Sequence, residues 1–212
     1  MKSRQEIKSL AKEAVAQQRG TIIILIFLLT LISGVTGLIG QIEYIGGLLS
    51  LALSFIIMAL EVNLAGLFLR IFKKESITVG EPFSALSVNF FRKVGGMYWM
   101  SLWVFLWSML LIVPGIIKAI AYSMTPYILA DCPNVSATKA LKLSMKMTRG
   151  HKMDLFVLAL SFIGWGILSI LTFGILYIVY VGPYMYTTYA GFYTELRDKA
   201  IASGAISQSE LA

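Results

Sequence analysis

The sequence predicts an all-α, polytopic membrane protein: six transmembrane helices as three hairpins, with amphipathic interfacial helices and both termini cytoplasmic. Composition is the first observation behind this prediction. Hydrophobic residues make up 58% of the 212 residues and charged residues 14%, against roughly 25% charged in soluble proteins. The second observation is a series of long apolar stretches, since a crossing helix needs about 20 apolar residues. The third is the placement of Lys and Arg, which mark cytoplasmic loops.

The first hairpin is predicted over residues 21–72, where the apolar run 21–40 is followed by a second run, 46–72. A charged arm, residues 1–20, precedes it. Ser3 and Glu6 in this arm have the spacing of a helical capping box. One helical face of the arm carries the apolar residues Ile7, Leu10, Ala11 and Ala14. We therefore expect an amphipathic helix that lies in the headgroup plane or packs under the bundle.

The second hairpin is predicted over residues 97–131, with an interfacial helix over residues 80–93 before it. Pro114 and Gly115 lie near the middle of this apolar stretch, where they allow either a kink or a tight turn. The basic residues decide between the two. With a hairpin, 17 of the 18 Lys and Arg residues are cytoplasmic and only Lys118 is external. We therefore expect the chain to turn at residues 114–117.

The third hairpin is predicted over residues 154–196, divided near residues 171–174, and a cytoplasmic tail follows over residues 197–212. Gly182-Pro183 predicts a kink in its second helix, because proline cannot donate a backbone hydrogen bond. The external loops are short, and no globular domain is expected on either side. The whole chain, residues 1–212, is therefore predicted to be a single membrane domain.

A third amphipathic helix is predicted over residues 134–150, between the second and third hairpins. Its basic residues recur at helical spacing and form one stripe: Lys139, Lys142, Lys146 and Arg149. Ala137, Leu141, Ser144 and Thr148 lie on another face. The stripe is either a solvated face above the headgroups or a site for anionic lipid or a partner.

Glu61 is the candidate intramembrane polar residue, because it lies nine residues before Arg70 and so near the bilayer midplane. A charged group at that depth is costly and is expected to face the bundle interior. It is either a protonatable functional carboxyl or a hydrogen-bonded structural one. Lys118 is the second candidate: it either extends towards the outer interface or pairs with Glu61 or Glu43.

Enzymatic chemistry is not expected. The sequence has one cysteine and one histidine, His151, which is predicted to be a surface residue without an acidic partner. No nucleophile and base are placed together, no metal-ligand spacing occurs and no glycine-rich phosphate loop is present, so neither a metal nor a cofactor is predicted. The expected partners are membrane lipids with anionic headgroups, and a membrane-protein partner or a second copy of the chain, but not nucleic acid.

Over nearly its whole length the chain resembles a bacterial membrane family, domain of unknown function 975. The matching segments are Glu6-Ile7-Lys8, Val113 to Lys118, Ala140 and Ser144, Thr148-Arg149-Gly150, Ser161 to Trp165, Gly182-Pro183-Tyr184 and Ala190 to Tyr193. It is similar, more remotely, to the membrane domain of some bacterial glycerophosphodiester phosphodiesterases. The resemblance implies the fold and a bacterial cell membrane. It implies no catalytic residues, because the hydrolytic domain of those enzymes is a separate barrel.

Two classes of function follow from the sequence. The first is a non-catalytic multi-pass protein of the bacterial cell envelope that associates with lipids or a protein partner, in envelope homeostasis or an immunity-like role. The second is a small transporter or transporter subunit with a buried acidic residue. A water-lined cavity that reaches Glu61 would favour the transporter, whereas a packed bundle would favour association.

Overall fold

The computed structural model describes residues 2–211, and helices form its only regular secondary structure over that range. The helices are α1 (Arg4–Gln17), α2 (Arg19–Ile39), α3 (Gly46–Phe72), α4 (Glu81–Ser84), α5 (Phe90–Leu110), α6 (Ile112–Tyr122), α7 (Thr125–Asp131), α8 (Ala137–Met147), α9 (Lys152–Leu171) and α10 (Gly182–Ala202). The predicted all-α class is confirmed.

The N-terminal arm forms α1, as its sequence pattern predicts. The Ser3 hydroxyl accepts a hydrogen bond from the Glu6 backbone N–H at 3.2 Å, and the Glu6 carboxylate accepts one from the Ser3 N–H at 2.6 Å. Ile7 and Ala11 are fully buried against the bundle, where α1 packs on α10 and α3. The sequence predicts that this amphipathic helix lies either in the headgroup plane or under the bundle, and α1 packs under the bundle.

Four helical segments in the described chain are long and apolar enough to cross a bilayer, not the predicted six. They are α2, α3, the consecutive pair α6–α7 and α9. Helices α5 and α10 have 21 residues each but contain more polar side chains. They pack beside the apolar helices in the same bundle, α5 on α3 and α6, and α10 on α3 and α2.

The three tight turns of the chain lie at one end of the bundle, which we call the turn end. The first, residues 40–45, joins α2 to α3, and the third, residues 172–174, follows α9. The second turn is made at Leu111, whose backbone is extended at φ −159° and ψ 140°, and not at residues 114–117. Pro114 instead lies in the first turn of α6, where a proline costs no helical hydrogen bond.

The turn end has an apolar, exposed surface. Large side chains there reach high exposure, 68% for Ile45, 75% for Ile112 and 78% for Ile170. The fully buried side chains, including Phe68, Ile128 and Phe192, lie towards the opposite end. An apolar surface of this kind is expected of helices that face lipid, since water offers it no favourable contact.

The predicted interfacial helix over residues 80–93 is wrong. Only α4, a single turn, forms there, and the chain then leaves the helix until Phe90. Asn89 has a φ of +54°, a left-handed conformation that asparagine tolerates better than most residues and that ends any helix arriving from α4. Arg92 and Lys93 therefore belong to α5, and the second hairpin begins at Phe90 and not at residue 97.

The last helix is distorted where Gly182-Pro183 predicts a kink. A π-helical segment, Tyr177–Val181, runs directly into α10. Pro183 cannot donate to the preceding turn, and a wider turn is a common way to accommodate the missing bond. The structure thus has a π-helical turn before Pro183, at the position of the predicted kink.

Helix α8 holds the break between α6 and α7 through two buried hydroxyl groups. The Ser144 hydroxyl donates to the Ala121 carbonyl at 2.7 Å and accepts from the Met124 N–H at 3.3 Å. The Thr148 hydroxyl donates to the same Ala121 carbonyl at 3.3 Å. These bonds satisfy backbone groups that the interrupted helix leaves free.

Replacing Ser144 with alanine should lower the free energy of unfolding by about 1–2 kcal/mol, because the buried Met124 N–H loses its partner. Unfolding in detergent by sodium dodecyl sulfate, followed by far-UV circular dichroism, measures this. Ser101→Ala is the matched control, since Ser101 is exposed and makes no side-chain hydrogen bond within residues 2–211. Equal stability of the two variants would contradict the role given to Ser144.

Candidate functional site at the charged end

The end of the bundle opposite the turns, the charged end, carries most of the ionic contacts of the described chain. The pairs are Lys2–Glu195, Arg70–Glu75, Arg70–Glu81, Lys74–Glu13, Lys146–Glu210 and Arg197–Asp131. They join segments far apart in sequence, such as α1 to the residues after α3. The charged end is therefore built from many parts of the chain and closes one side of the bundle.

A cavity of about 490 Å³ opens at this end between α3, α4, α5 and α7. Its size lies in the range of small-molecule sites. Its polar lining consists of Asn63, Arg70, Glu81, Ser84, Lys93 and Asp131. Its remaining walls are apolar or small, among them Leu67, Pro82 and Val88. Charged groups and apolar walls thus meet in one cavity, which suits an amphipathic molecule.

The first charged pair of the cavity is Arg70 with Glu81. The Arg70 guanidinium donates to the carboxylates of Glu81 and Glu75, and also to the Ser76 carbonyl at 2.8 Å. Burial alone would raise the pKa of Glu81, but the Thr78 N–H and the Arg70 guanidinium hold this pKa below its ordinary value. Glu81 is therefore an ionised carboxylate that neutralises Arg70.

Lys93 is the one charged residue within residues 2–211 that is buried, with 7% of its surface exposed. Its ammonium donates to the Asn63 side-chain oxygen at 2.6 Å and to the Ala85 carbonyl at 3.0 Å. The Asn63 amide nitrogen donates to the Pro82 carbonyl at 2.7 Å, which turns the oxygen of Asn63 towards Lys93. Both acceptors of Lys93 are neutral.

Asp131, at the end of α7, ties that helix to α10. Its carboxylate accepts from the Arg197 guanidinium at 2.7 Å and from the Tyr193 hydroxyl at 2.9 Å. Arg197 also donates to Asp198. The negative charge of Asp131 is therefore neutralised by Arg197, as that of Glu81 is by Arg70.

Arg92 binds the end of α7, which forms one wall of the cavity. Its guanidinium donates to the carbonyls of Leu129, Cys132 and Val135, at 2.5, 3.1 and 2.7 Å. The last carbonyls of a helix have no partner within it, and a cation is favoured there by the helix dipole. Arg92 thus fixes the position of Asp131 relative to the start of α5.

Glu61, the predicted interior carboxyl, is exposed on α3, between the buried residues Leu60 and Val62. It takes part in no side-chain hydrogen bond or ion pair within residues 2–211, and it does not line the cavity. The functional or structural role of Glu61 therefore stays a prediction. Its helical face is exposed at Gly47 and Glu61 and becomes buried further along α3, at Ala65 and Phe68.

Lys118 makes no ion pair with Glu61 or Glu43 in the described chain. Its ammonium lies over the rings of Trp107 and Tyr122, 5.0 and 5.8 Å from their centroids. An aromatic face attracts a cation in this geometry. The structure therefore accounts for Lys118 without an acidic partner.

The predicted basic stripe lies on the outer face of α8. Lys142, Lys146 and Arg149 are exposed and Lys139 is half-buried. Lys146 pairs with Glu210 at 2.7 Å. The opposite face of α8, with Leu141, Ser144 and Thr148, is buried, so the amphipathic pattern is confirmed.

His151 has an acidic partner, contrary to the prediction. Its Nδ1 lies 3.2 Å from a carboxylate oxygen of Asp154, and its Nε2 lies 2.9 Å from the ammonium of Lys199. This contact joins the start of α9 to the last turns of α10. The three residues lie on the outside of the charged end and line no cavity described here.

A family comparison covers the second half of this architecture. Residues 96–200 match the family described as protein of unknown function DUF975. No curated protein and no solved structure matches the chain. The DUF975 match runs from Gly96 in α5 to Ala200 in α10 and so includes most of the second hairpin, α8 and Asp131. The remaining polar residues of the cavity precede it, as does α1, so the resemblance predicted over nearly the whole chain is supported for residues 96–200.

The cavity was not predicted from the sequence, although two of its residues carried a signal. Asn63 is a polar side chain within an apolar helix, two positions after Glu61. Lys93 is one of the 17 basic residues that the sequence predicts to be cytoplasmic. Their contact joins residues 30 positions apart in sequence, and no local pattern indicates it.

Proposed function

We propose that this chain is a non-catalytic multi-pass protein of the bacterial cell membrane that acts by associating with anionic lipids at its charged end. The observation that carries this proposal is the division of the surface, with exposed apolar side chains at the turn end and the cavity and basic stripe at the other. The same proposal includes association with a protein partner, in envelope homeostasis or an immunity-like role.

The proposed orientation places the charged end in the cytoplasm. Of the 18 basic residues, only Lys118 lies in the half of a helical segment next to the turn end, whereas the others lie in α1, in α8, in the loops or tail of the charged end, or near the charged end of a longer helix. Basic residues are retained on the cytoplasmic side during insertion. That side also carries the negative surface potential of anionic lipids, which attracts the stripe on α8.

The transporter alternative is less well supported. It requires an acidic residue in contact with a pathway through the bundle, and Glu61 does not line the cavity at the charged end. The cavity instead lies at one end of the bundle, between α3, α4, α5 and α7. Binding at that end needs no alternation of the bundle between two states.

Replacing Lys139, Lys142, Lys146 and Arg149 with glutamine should lower retention of anionic lipid at least tenfold, since each basic residue near such a surface contributes about 1 kcal/mol. Native mass spectrometry of the detergent-solubilised protein with phosphatidylglycerol measures retention. The matched control removes four exposed charges of the same end outside α8, by K2Q, K73Q, K74Q and K199Q. Equal losses in both variants would show that total charge, and not the α8 stripe, retains the lipid.

A further inference from the structure

Lys93 is the charged group of the cavity that no counter-ion neutralises. Arg70 is paired with Glu81, and Asp131 is paired with Arg197. Within residues 2–211 no carboxylate lies at ion-pair distance from Lys93. A buried ammonium without a counter-ion is costly, because neutral dipoles replace only part of its hydration. An anion in the cavity would supply the missing charge.

The ammonium of Lys93 also has a hydrogen-bond donor to spare. A lysine ammonium carries three N–H groups, and the described contacts of Lys93, to Asn63 and Ala85, use two of them. The Ser84 hydroxyl also lines the cavity, but its single hydrogen is donated to the Glu81 carbonyl at 3.0 Å, so Lys93 supplies the spare donor. Charge and hydrogen-bonding capacity therefore both favour an oxyanion at this position.

The walls indicate that the oxyanion belongs to a molecule with an apolar part. Leu67, Pro82 and Val88 surround the polar groups, and Val88 is 57% exposed at the edge of the cavity. On the other side of Pro82 lies a small apolar pocket of about 10 Å³, lined by Leu25, Leu29, Ile32, Leu60, Leu64 and Phe83, which has room for about one water molecule and not for an acyl chain. The apolar part of the bound molecule would therefore lie against Leu67, Pro82 and Val88 at the edge of the cavity.

We propose that the cavity binds the phosphate of an anionic membrane lipid, with the Lys93 ammonium as its ligand and Asn63 as the residue that positions that ammonium. The proposal rests on the proposed function for the orientation of the charged end at the headgroup level. It differs from the surface association of α8, because it places one headgroup inside the bundle at a defined site.

The test uses the full chain, stripped of lipid in a neutral detergent and titrated with phosphatidylglycerol in native mass spectrometry. We expect wild type to bind one phosphatidylglycerol more tightly than the rest, and K93Q to lower that affinity at least tenfold, as expected for losing a charge-assisted hydrogen bond. K93R keeps the charge and should retain most of the affinity. K73Q removes one exposed charge of the same end, outside both the cavity and the α8 stripe, and should leave this site unchanged.

A second variant covers the case in which K93Q fails to fold. V88W fills the edge of the cavity from an exposed position without changing any charge, and it should abolish the tight site while the protein stays folded. Tight binding that survives both K93Q and V88W would overturn the proposal. So would equal binding of diacylglycerol, which has the tails without the phosphate. Inorganic phosphate that binds as tightly as phosphatidylglycerol would overturn the lipid as the source of the anion.

The outcomes separate this site from the association proposed for α8. Suppose that the four-glutamine variant loses lipid retention, whereas K93Q binds its one tight lipid as wild type does. That result would overturn the proposed site in the cavity alone. If K93Q instead loses the tight site and the four-glutamine variant retains lipid as wild type does, the association through α8 alone is overturned.

Discussion

Replacing Asp131 with alanine should lower the free energy of unfolding by about 3 kcal/mol. The carboxylate accepts from the buried Tyr193 hydroxyl and from the Arg197 guanidinium, so its removal leaves both donors without that partner. The side chains of Asp131 and Arg197 are only 22% and 23% exposed, so water replaces the lost contacts poorly. Unfolding by sodium dodecyl sulfate in detergent, followed by far-UV circular dichroism, gives the difference.

Two further variants identify the source of this loss. Asp198→Ala removes the other carboxylate that binds Arg197, but this side chain is 61% exposed, so a change below about 0.5 kcal/mol is expected. Asp131→Asn keeps an oxygen that can accept from Tyr193 and removes only the charge, so it should fall between the two. If Asp198→Ala costs as much as Asp131→Ala, the contact of α7 with α10 does not depend on Asp131.

The sequence predicts helices better than it predicts which of their faces are buried. The runs that form α2 and α3 and the capping box of α1 depend on residues close together in the chain, and all three appear as predicted. The face of α3 depends on which helices pack on it. The face that carries small residues is exposed at Gly47 and Glu61 but buried at Ala65 and Phe68, so its burial changes along the helix.

The positions of turns are also only partly predictable from the sequence. Pro114-Gly115 predicts a break by residue type, but a proline is also accepted in the first turn of a helix, and the chain uses it there after an extended Leu111. The residues after α4 show a helical pattern, yet Asn89 adopts a left-handed conformation, so α5 begins after it as a separate helix. The start of α5 is fixed by contacts of Lys93 and Arg92 with α3 and α7, which the sequence alone does not reveal.

The cavity lies at the point where these non-local contacts meet. Asn63, Glu81, Lys93 and Asp131 come from four separate elements, and each is held by a partner from another part of the chain. Lys and Asp at helix ends are ordinary features of a membrane protein sequence. Only their pairing in space distinguishes the neutralised groups from Lys93.

Replacing Gly46 with alanine should lower the free energy of unfolding by about 2–3 kcal/mol, because the first turn of α3 packs directly against the end of α2. A Cβ at Gly46 would lie inside contact distance of the Ile39 carbonyl and 3.1 Å from the Cβ of Ile42. The obstacle is mostly backbone, which cannot move aside as a flexible side chain can, so the turn between α2 and α3 must open. The same unfolding measurement in detergent applies.

The neighbouring residue provides the matched control for Gly46→Ala. Gly47 has no atom within 4 Å of the position that its Cβ would take, and it lies in the same helical turn. Gly47→Ala should therefore leave the free energy of unfolding unchanged or raise it by up to about 1 kcal/mol, since alanine favours the helix over glycine. A loss of stability as large in Gly47→Ala as in Gly46→Ala would mean that the contact with Ile39 is not what fixes this hairpin. A large loss in Gly46→Ala alone would identify the approach of α3 to the Ile39 carbonyl as the constraint that closes the first turn.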